Sequence, residues 1–216
     1  MIYNKMITFI IPSVGRKSLW DSLRSIKNQT KPDWKAYIVF DGIPIPEIPD
    51  EFKDDERFMF DTITKLGVNK NGSTHGCAGL VRNYMLERTD TWIGFLDDDD
   101  VISPHYVDSF EKEIAETPDA KLVIFRMKIG GTHYPPLGVG NFEMNRVGIS
   151  FAVHPDVWKE HSIYFKQCTV EDFYYLDASR AKGLKIVISG YVAYYVNSSN
   201  PPQGLEHHAN SRRVIN

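Results

Sequence analysis

The chain has 216 residues, of which 42% are hydrophobic, enough for the core of one large domain or two small ones, so intrinsic disorder is excluded. A net charge of −3 without a dense basic stretch argues against nucleic acid as a partner. Cys77 and Cys168 form no disulfide framework, and the sequence shows no signal peptide and no apolar run of about 18 residues, so we expect a cytoplasmic protein without a membrane span of its own.

Apolar runs and amphipathic stretches alternate along the first half of the chain. Residues 6–11 form a continuous apolar run that ends at Pro12, which is typical of a buried strand in the middle of a sheet. Ser18 is placed to cap a helix from Leu19 to Ile26, in which apolar residues recur at helical spacing. Further strands are predicted at residues 35–40, 58–63, 92–96, 121–127, 147–153 and 185–196, the last one broken at Ser189-Gly190. Further helices are predicted at residues 78–88, from Ser103-Pro104 onward, and at residues 171–182.

The stretches between these elements are rich in glycine, proline and polar residues. They predict irregular segments at residues 43–50, 67–79 and 130–145 and a loop-like polar tail after Asn197. No composition shift marks a domain boundary. The alternation of strands and helices predicts a single α/β domain with ligands at the carboxyl ends of its strands.

Four carboxylates, Asp97 to Asp100, directly follow the apolar strand predicted at residues 92–96. Because side chains alternate along an extended chain, Asp97 and Asp99 point one way and Asp98 points the other. Like charges so close together repel unless a cation lies between them. The sequence therefore predicts a Mn²⁺ or Mg²⁺ site that carries substrate phosphates, with a solvated acidic turn as the alternative.

Five short motifs occur in a fixed order along the chain. They are Ile-Ile-Pro at residues 10–12, Asp-Gly at 41–42, Gly-x-Ala-x-x-x-Arg-Asn at 76–83, Phe-Leu-Asp-x-Asp-Asp at 95–100, and Glu-Asp at 171–172. In this order and spacing the sequence resembles the GT-A fold nucleotide-sugar glycosyltransferases, specifically the inverting group called family 2. The resemblance covers about residues 7–196.

The resemblance implies a Rossmann-like, mixed and mostly parallel central sheet flanked by helices, within one GT-A domain spanning residues 1–216. Residues 1–103 would form a nucleotide-binding half, residues 104–196 an acceptor-side half, and residues 197–216 a C-terminal tail. The implied activity is transfer of a sugar from a nucleotide-diphosphate donor, with a UDP-sugar expected, to a hydroxyl of a glycan, glycolipid or glycoprotein acceptor.

The same resemblance implies roles for individual residues. Asp41 would hydrogen-bond the nucleobase, Asp98 would lie near the ribose, Asp99 would be the principal metal ligand, and Asp172 would be the general base. The implied nucleotide-sugar-binding residues are Pro12, Ser13, Val14, Arg16, Asp41, Arg82, Asp97 and Asp98, and the implied metal ligands are Asp97, Asp99 and His208.

These roles agree with the chemistry of glycosyl transfer. The diphosphate leaving group needs its charge neutralised, and a divalent ion does this. A carboxylate on the opposite face of the sugar is needed to take the proton of the acceptor hydroxyl. Asp172 belongs to the stretch Val170-Glu171-Asp172-Phe173, whose apolar ends would raise its pKa toward values useful for a base.

His208 belongs to a His-x-x-Ser stretch ending at Ser211, which looks like a late pattern of the family. Imidazole is a suitable additional Mn²⁺ ligand, with His207 or water as alternatives for this position. The chain departs from the family where Asn197 replaces the usual arginine or histidine after the last strand. A disordered polar tail is the competing interpretation.

Each predicted role has a structural alternative. Asp41 before Gly42 is also typical of a turn, Arg82 of a solvated helix surface, and Glu171-Asp172 of the negatively charged first turn of a helix. Two other functions fit the acidic motif: an Asp-nucleophile phosphatase and a non-catalytic metal- or carbohydrate-binding module. Asp172 distinguishes a transferase from a binding module, because a binding module does not need this residue.

Overall fold

The computed structural model describes residues 6–67, 78–198 and 201–216, where one central sheet is packed against helices. The strands are β1 (Ile7–Ser13), β2 (Trp34–Asp41), β3 (Phe58–Ile63), β4 (Trp92–Phe95), β5 (Val101–Ile102), β6 (Leu122–Ile129), β7 (Thr132–Tyr134), β8 (Phe151–Val153), β9 (Ile186–Tyr195), β10 (Glu206–His207) and β11 (Arg213–Ile215). The helices are α1 (Leu19–Lys27), α2 (Asp50–Lys53), α3 (Ala78–Leu86), α4 (Tyr106–Glu116), α5 (Asp156–Lys159) and α6 (Glu171–Ala181), with a 3₁₀ turn at Ala209–Ser211. The loop predicted at residues 67–79 lies almost entirely outside the described residues.

Parallel strands form one half of the sheet, in the order β3-β2-β1-β4. Strand β8 then lies antiparallel between β4 and β6, and β6 pairs parallel with β9. The predicted α/β class with a mixed central sheet is confirmed. Because β1, β2 and β4 run in the same direction, Ser13, Asp41 and Asp97 emerge at one edge of the sheet.

The core is built from the apolar runs that predicted the strands. Ile7 and Phe9 of β1 are fully buried, and Leu19, Leu23 and Ile26 of α1 are buried with them. Helix α1 therefore packs the face that its apolar spacing predicts. Its N-terminal neighbour Ser18 makes no side-chain capping bond, contrary to the sequence prediction, so burial rather than a cap fixes the start of this helix.

Two sequence predictions in the second half of the chain were wrong in detail. The irregular segment predicted at residues 130–145 contains β7, which forms a hairpin with β6. The break predicted near Gly190 is a bulge inside a continuous β9, because Ile188 pairs with Ile124 while Val192 already pairs with Arg126. Short hairpin strands and bulges leave little periodicity in a sequence, which explains both differences.

The C-terminal tail is not loop-like, so that expectation was also wrong. Strands β10 and β11 both pair antiparallel with β9. The backbone of His208 approaches Gly190 so closely that a Cβ there would lie 2.6 Å from the His208 carbonyl oxygen. Buried Arg126 donates to the Ser211 carbonyl at 2.6 Å, and Arg212 Nε donates to Glu113 Oε2 at 2.6 Å. These contacts hold the tail against the sheet.

Among the helices of the described residues, none has the length and apolar character needed to cross a lipid bilayer.

Candidate functional site

A cleft of about 420 Å³ opens at the edge where the parallel strands end. It is lined by Pro12, Ser13, Val14, Arg16, Asp41, Lys65, Gly67, Ala78, Val81, Arg82, Asp97, Asp98, Asp99 and Glu171. All eight residues predicted to bind the nucleotide sugar are therefore brought to one cleft, together with Asp99. We call this the strand-end cleft. Its volume is within the range of small-molecule sites.

Asp98 is fixed at the floor of the strand-end cleft by the loop after β1. Its Oδ2 accepts hydrogen bonds from Ser13 Oγ at 2.7 Å and from the Val14 amide at 3.3 Å. Arg16 Nη1 reaches Asp98 Oδ1 at 3.1 Å and Asp99 Oδ2 at 2.5 Å. Burial raises the pKa of Asp98, although the bond from Ser13 and the charge of Arg16 oppose this effect. The loop residues thus orient two carboxylates of the acidic run.

Asp41 is buried at the end of β2 and holds the segment that follows β3. Its Oδ1 accepts the Leu66 amide at 2.6 Å, and its Oδ2 accepts the Gly67 amide at 2.9 Å and faces Lys65 Nζ at 2.8 Å. Asp41 therefore shapes one wall of the cleft. Each carboxylate oxygen has two lone pairs, so a further donor such as a nucleobase N–H still finds an acceptor there.

We expect Asp41→Asn to weaken nucleoside diphosphate binding about tenfold or more, since a hydrogen bond to a charged group contributes about 1.5–3 kcal/mol. The asparagine amide would also face a backbone N–H donor. Titration calorimetry with the folded variant measures the effect, and Asp54→Asn, at an exposed position, is the matched control. Unchanged affinity in Asp41→Asn would contradict the predicted role.

Arg82 is the buried centre of the site. It forms ion pairs with both Asp97 and Glu171, and its side chain is 4% exposed. The Gly79 amide donates to Glu171 Oε2 at 3.0 Å, and a Cβ at position 79 would come within 2.7 Å of Phe165 Cβ. A glycine at this position therefore allows α3 to approach the start of α6. The solvated-surface interpretation of Arg82 is wrong.

A second cleft of about 250 Å³ shares Arg82, Asp97 and Glu171 with the strand-end cleft. Its other lining residues are Asp100, Met127, Ile129, Gly148, Ile149, Thr169, Asp172 and Val196. We call it the Asp172 cleft. The two clefts are neighbours separated by the Arg82 ion pairs.

Burial raises the pKa of Asp172, opposed by the Phe173 amide and by the charge of Arg82. Burial also raises the pKa of the adjacent Glu171 to about 7, against the opposing charge of Arg82. A carboxylate with a raised pKa in a cleft is a better proton acceptor near neutral pH than an exposed one. Asp172 thus combines a place in a cleft with a raised pKa, and its role as the general base stays a prediction.

Tyr194 and Asn197 hydrogen-bond the acidic run, although no sequence pattern singles them out as its partners. Tyr194 Oη accepts the Asp97 amide at 3.1 Å and donates to Asp100 Oδ2 at 2.8 Å, and the Asn197 amide donates to Asp100 Oδ1 at 2.7 Å. Burial is the main reason that the pKa of Asp100 is raised to about 7. Asp100 thus ties the acidic run to the end of β9, a contact that only the folded sheet reveals.

The oxygen-donor set of the strand-end cleft fits a Mn²⁺ or Mg²⁺ ion. Asp99 extends toward the mouth of the cleft with its side chain 36% exposed, and Asp97 is 37% exposed. Such ions at phosphate sites take one or two carboxylates and complete their coordination with phosphate and water oxygens. Asp99 and Asp97 are the residues that would hold such an ion beside a diphosphate, and this metal site stays a prediction.

His208, the third metal ligand expected from the sequence, makes its contacts in another place. Its Nε2 lies 3.2 Å from Glu206 Oε1, and its ring lies 5.4 Å from the ring of His133. His207 stacks on Tyr191 with ring centroids 4.0 Å apart. Neither histidine lines the strand-end cleft. A shared ion between His208 and Asp99 stays a prediction.

The fold and the acidic cleft at its strand ends are those of the GT-A class. The family model for glycosyl transferase family 2 matches residues 8–168. The chain therefore belongs to glycosyl transferase family 2, and the resemblance inferred from the sequence motifs is confirmed. A comparison with curated protein sequences gave no match.

Solved structures support the same fold. S. aureus TarS 1–349 has a TM-score of 0.68 at 16% identity, covering 88% of this chain and 60% of that one. TarS 1–349 in complex with UDP-GlcNAc has a TM-score of 0.71 at 16% identity, covering 92% and 60%. The mannosyltransferase PcManGT from Pyrobaculum calidifontis, in complex with GDP-Man and Mn²⁺, has a TM-score of 0.59 at 13% identity, covering 92% and 58%. The chain thus spans at most about 60% of the length of these three structures.

Proposed function

We propose that this chain transfers a sugar from a nucleotide-diphosphate donor, with a UDP-sugar expected, to an acceptor hydroxyl with inversion at the sugar carbon. The observation that carries the proposal is the pair of adjoining clefts, with Asp172 in one and the acidic strand end in the other. A nucleotide in the strand-end cleft directs its diphosphate toward Asp99. Its sugar then lies toward the shared wall of Arg82, Asp97 and Glu171.

The proposed chemistry is a single displacement. The acceptor hydroxyl oxygen bonds to the anomeric carbon as the bond from that carbon to the diphosphate breaks, and the hydroxyl proton passes to the Asp172 carboxylate. Arg16 and Lys65 lie beside the predicted nucleotide-binding carboxylates Asp98, Asp99 and Asp41 and reduce their repulsion of a diphosphate. When bound at Asp99 and Asp97, Mn²⁺ or Mg²⁺ supplies charge neutralisation of the leaving group.

The two clefts draw on the two halves of the chain that the family resemblance implies. Residues 1–103 supply most of the strand-end cleft, and residues 104–196 supply most of the Asp172 cleft, where the acceptor would bind. A hydroxyl of a glycan, glycolipid or glycoprotein is the expected acceptor. Two related folds bind UDP-GlcNAc and GDP-Man respectively, so both bases belong in a donor screen.

A thermal-shift screen of UDP- and GDP-sugars, with and without Mn²⁺ or Mg²⁺, tests the proposal. A donor that binds only the folded chain raises the melting temperature, and the rise grows with the logarithm of the donor concentration once that concentration exceeds Kd. Detection of free nucleoside diphosphate after incubation then reports transfer or hydrolysis. If no nucleotide sugar stabilised the chain with either metal, the proposal would be overturned, and a release of phosphate from phosphomonoesters would favour the phosphatase alternative.

We expect Asp99→Asn to abolish the effect of Mn²⁺ on nucleotide binding. In the unaltered chain Mn²⁺ should tighten UDP or GDP binding about tenfold or more, because a metal contributes several kcal/mol of charge stabilisation at phosphate oxygens. The variant should bind the nucleotide equally with and without the metal in calorimetry. Asp119→Asn, at an exposed position, is the control, and persistent Mn²⁺ dependence in Asp99→Asn would remove Asp99 from the metal site.

A further inference from the structure

Three side chains from two distant segments of the chain, His133 on one and Glu206 and His208 on the other, converge beside β6 and β9. Glu206 Oε1 lies 2.8 Å from His133 Nε2 and 3.2 Å from His208 Nε2. Within residues 6–67, 78–198 and 201–216, this is the one group of three or more His, Cys, Asp or Glu side chains whose ligand atoms all lie within 4.8 Å of one another. We call it the His-Glu-His cluster. It is separate from the strand-end cleft, whose carboxylates do not converge in this way.

We infer that the His-Glu-His cluster is a binding site for Zn²⁺ or a similar transition-metal ion, distinct from the ion expected at Asp99. Two imidazole nitrogens and one carboxylate oxygen are a donor set that zinc uses widely, with water completing the coordination. Mg²⁺ prefers an all-oxygen set and is therefore disfavoured here. The inference does not rest on the proposed transferase activity.

The surroundings of Glu206 also suit a metal ligand. Lys128 Nζ bonds the other carboxylate oxygen, Oε2, at 3.0 Å, which leaves Oε1 directed at the two imidazoles. Carboxylates that bind metals are commonly oriented by such an outer hydrogen bond.

The cluster is open enough to admit an ion and a water ligand. The side chains of His133, Glu206 and His208 are 17%, 25% and 35% exposed. An ion bound there would join β7 to β10, two short strands on opposite edges of the β6–β9 pair. Because the Val196 amide bonds the Lys128 carbonyl and Val196 lines the Asp172 cleft, the ion would fix one wall of that cleft.

The test is metal binding by the 216-residue chain after treatment with EDTA. We expect one equivalent of Zn²⁺ in calorimetry, and Co²⁺ in its place should give visible absorption bands of low-symmetry coordination. His133→Ala and His208→Ala should each weaken Zn²⁺ binding about tenfold or more. His105→Ala and His161→Ala are matched controls, because neither residue belongs to the cluster.

Two further variants separate this site from the ion expected at the strand-end cleft. Asp99→Asn should leave Zn²⁺ affinity unchanged, and His133→Ala, a cluster residue outside the strand-end cleft, should leave Mn²⁺-assisted nucleotide binding unchanged. The inference is overturned if the chain binds no Zn²⁺, if both histidine variants bind it normally, or if Asp99→Asn loses it. In the first case the cluster is a hydrogen-bonded clamp only.

Discussion

Asp172→Asn is expected to lower kcat by about a thousandfold while leaving donor affinity within about threefold of the unaltered chain, as positioned general bases contribute roughly 10²–10⁴-fold. Asparagine keeps the shape of the side chain but cannot accept the proton of the acceptor hydroxyl. Asp172 lines the Asp172 cleft and not the strand-end cleft, where the nucleotide is proposed to bind. Nucleotide affinity should therefore be unchanged. Steady-state kinetics and calorimetry on the same preparation separate the two effects.

The pH profile gives a second measure of the same role. Burial raises the pKa of Asp172 above the ordinary aspartate value, and a base must be ionised to act. Activity should therefore fall as the pH is lowered through that raised pKa, and this acid limb should vanish in the residual activity of Asp172→Asn.

Asp177→Asn is the matched control, because Asp177 is on the same helix, is 41% exposed and pairs with Arg180. It should retain full turnover. Normal turnover by Asp172→Asn would remove the base assignment and, with donor binding intact, would leave a binding module as the better interpretation.

Strands β1, β2 and β4 of the parallel half could be predicted because they are buried along almost their whole length and leave apolar runs. The edge strand β3 is only partly buried, and it too has the predicted limits of residues 58–63. The short strands of the second half could not be predicted in the same way. Strands β7, β10 and β11 are three residues long or shorter, too short to show a periodic pattern. They are held by pairing with β6 and β9, which is information that local sequence does not contain.

Part of the strand-end cleft follows from one rule, that parallel strands bring their carboxyl ends to one edge of the sheet. That rule accounts for Ser13, Asp41 and Asp97, at or just after the ends of β1, β2 and β4. Arg82 lies on α3, and only the family resemblance implies its place in the cleft. Its partner Glu171 could not be predicted, since it is 89 residues away in the chain. The helix dipole already explains a glutamate in the first turn of α6, so nothing in the sequence points to Arg82 as its partner.

The C-terminal tail also shows what could not be predicted from the sequence. His208 was assigned to the metal of Asp99 because a short motif resembled a family pattern. In the fold, β10 pairs with β9 and directs His208 toward Glu206 and His133 instead. A motif of one histidine and one serine carries no information about which strand the segment joins.

Arg82→Met is expected to destabilise the chain by about 3 kcal/mol, because removing one partner of a buried ion pair leaves an uncompensated charge behind. Arg82 pairs with Asp97 and Glu171 while almost fully buried. Methionine fills a similar length without a charge, so cavity formation is minimised. Urea unfolding followed by fluorescence measures the change, and Arg88→Met, which removes a solvent-facing arginine stacked on Tyr84, should lose no more than about 0.5 kcal/mol.

The loss of stability in Arg82→Met should depend on pH in a defined direction. Burial holds the pKa of Glu171 at about 7 in the folded chain, above its ordinary value of 4.5, and loss of Arg82 removes an opposing effect and raises it further. A carboxyl whose pKa is raised by folding favours the folded state at low pH, and that advantage is lost as the pH rises through the folded pKa. The free energy of unfolding of Arg82→Met should therefore approach that of the unaltered chain below pH 4.5. It should become progressively smaller than that of the unaltered chain as the pH rises to 7 and above.

A double variant tests whether the unpaired Glu171 is the cause. In the Arg82→Met background, Glu171→Gln should recover part of the lost stability, because an amide needs no counter-ion, whereas alone it should destabilise by leaving Arg82 with one partner. The coupling free energy of the cycle should be about 1 kcal/mol or larger, as for residues in one ion-pair network. Additive effects would mean that Asp97, not Glu171, is the partner whose charge Arg82 chiefly balances.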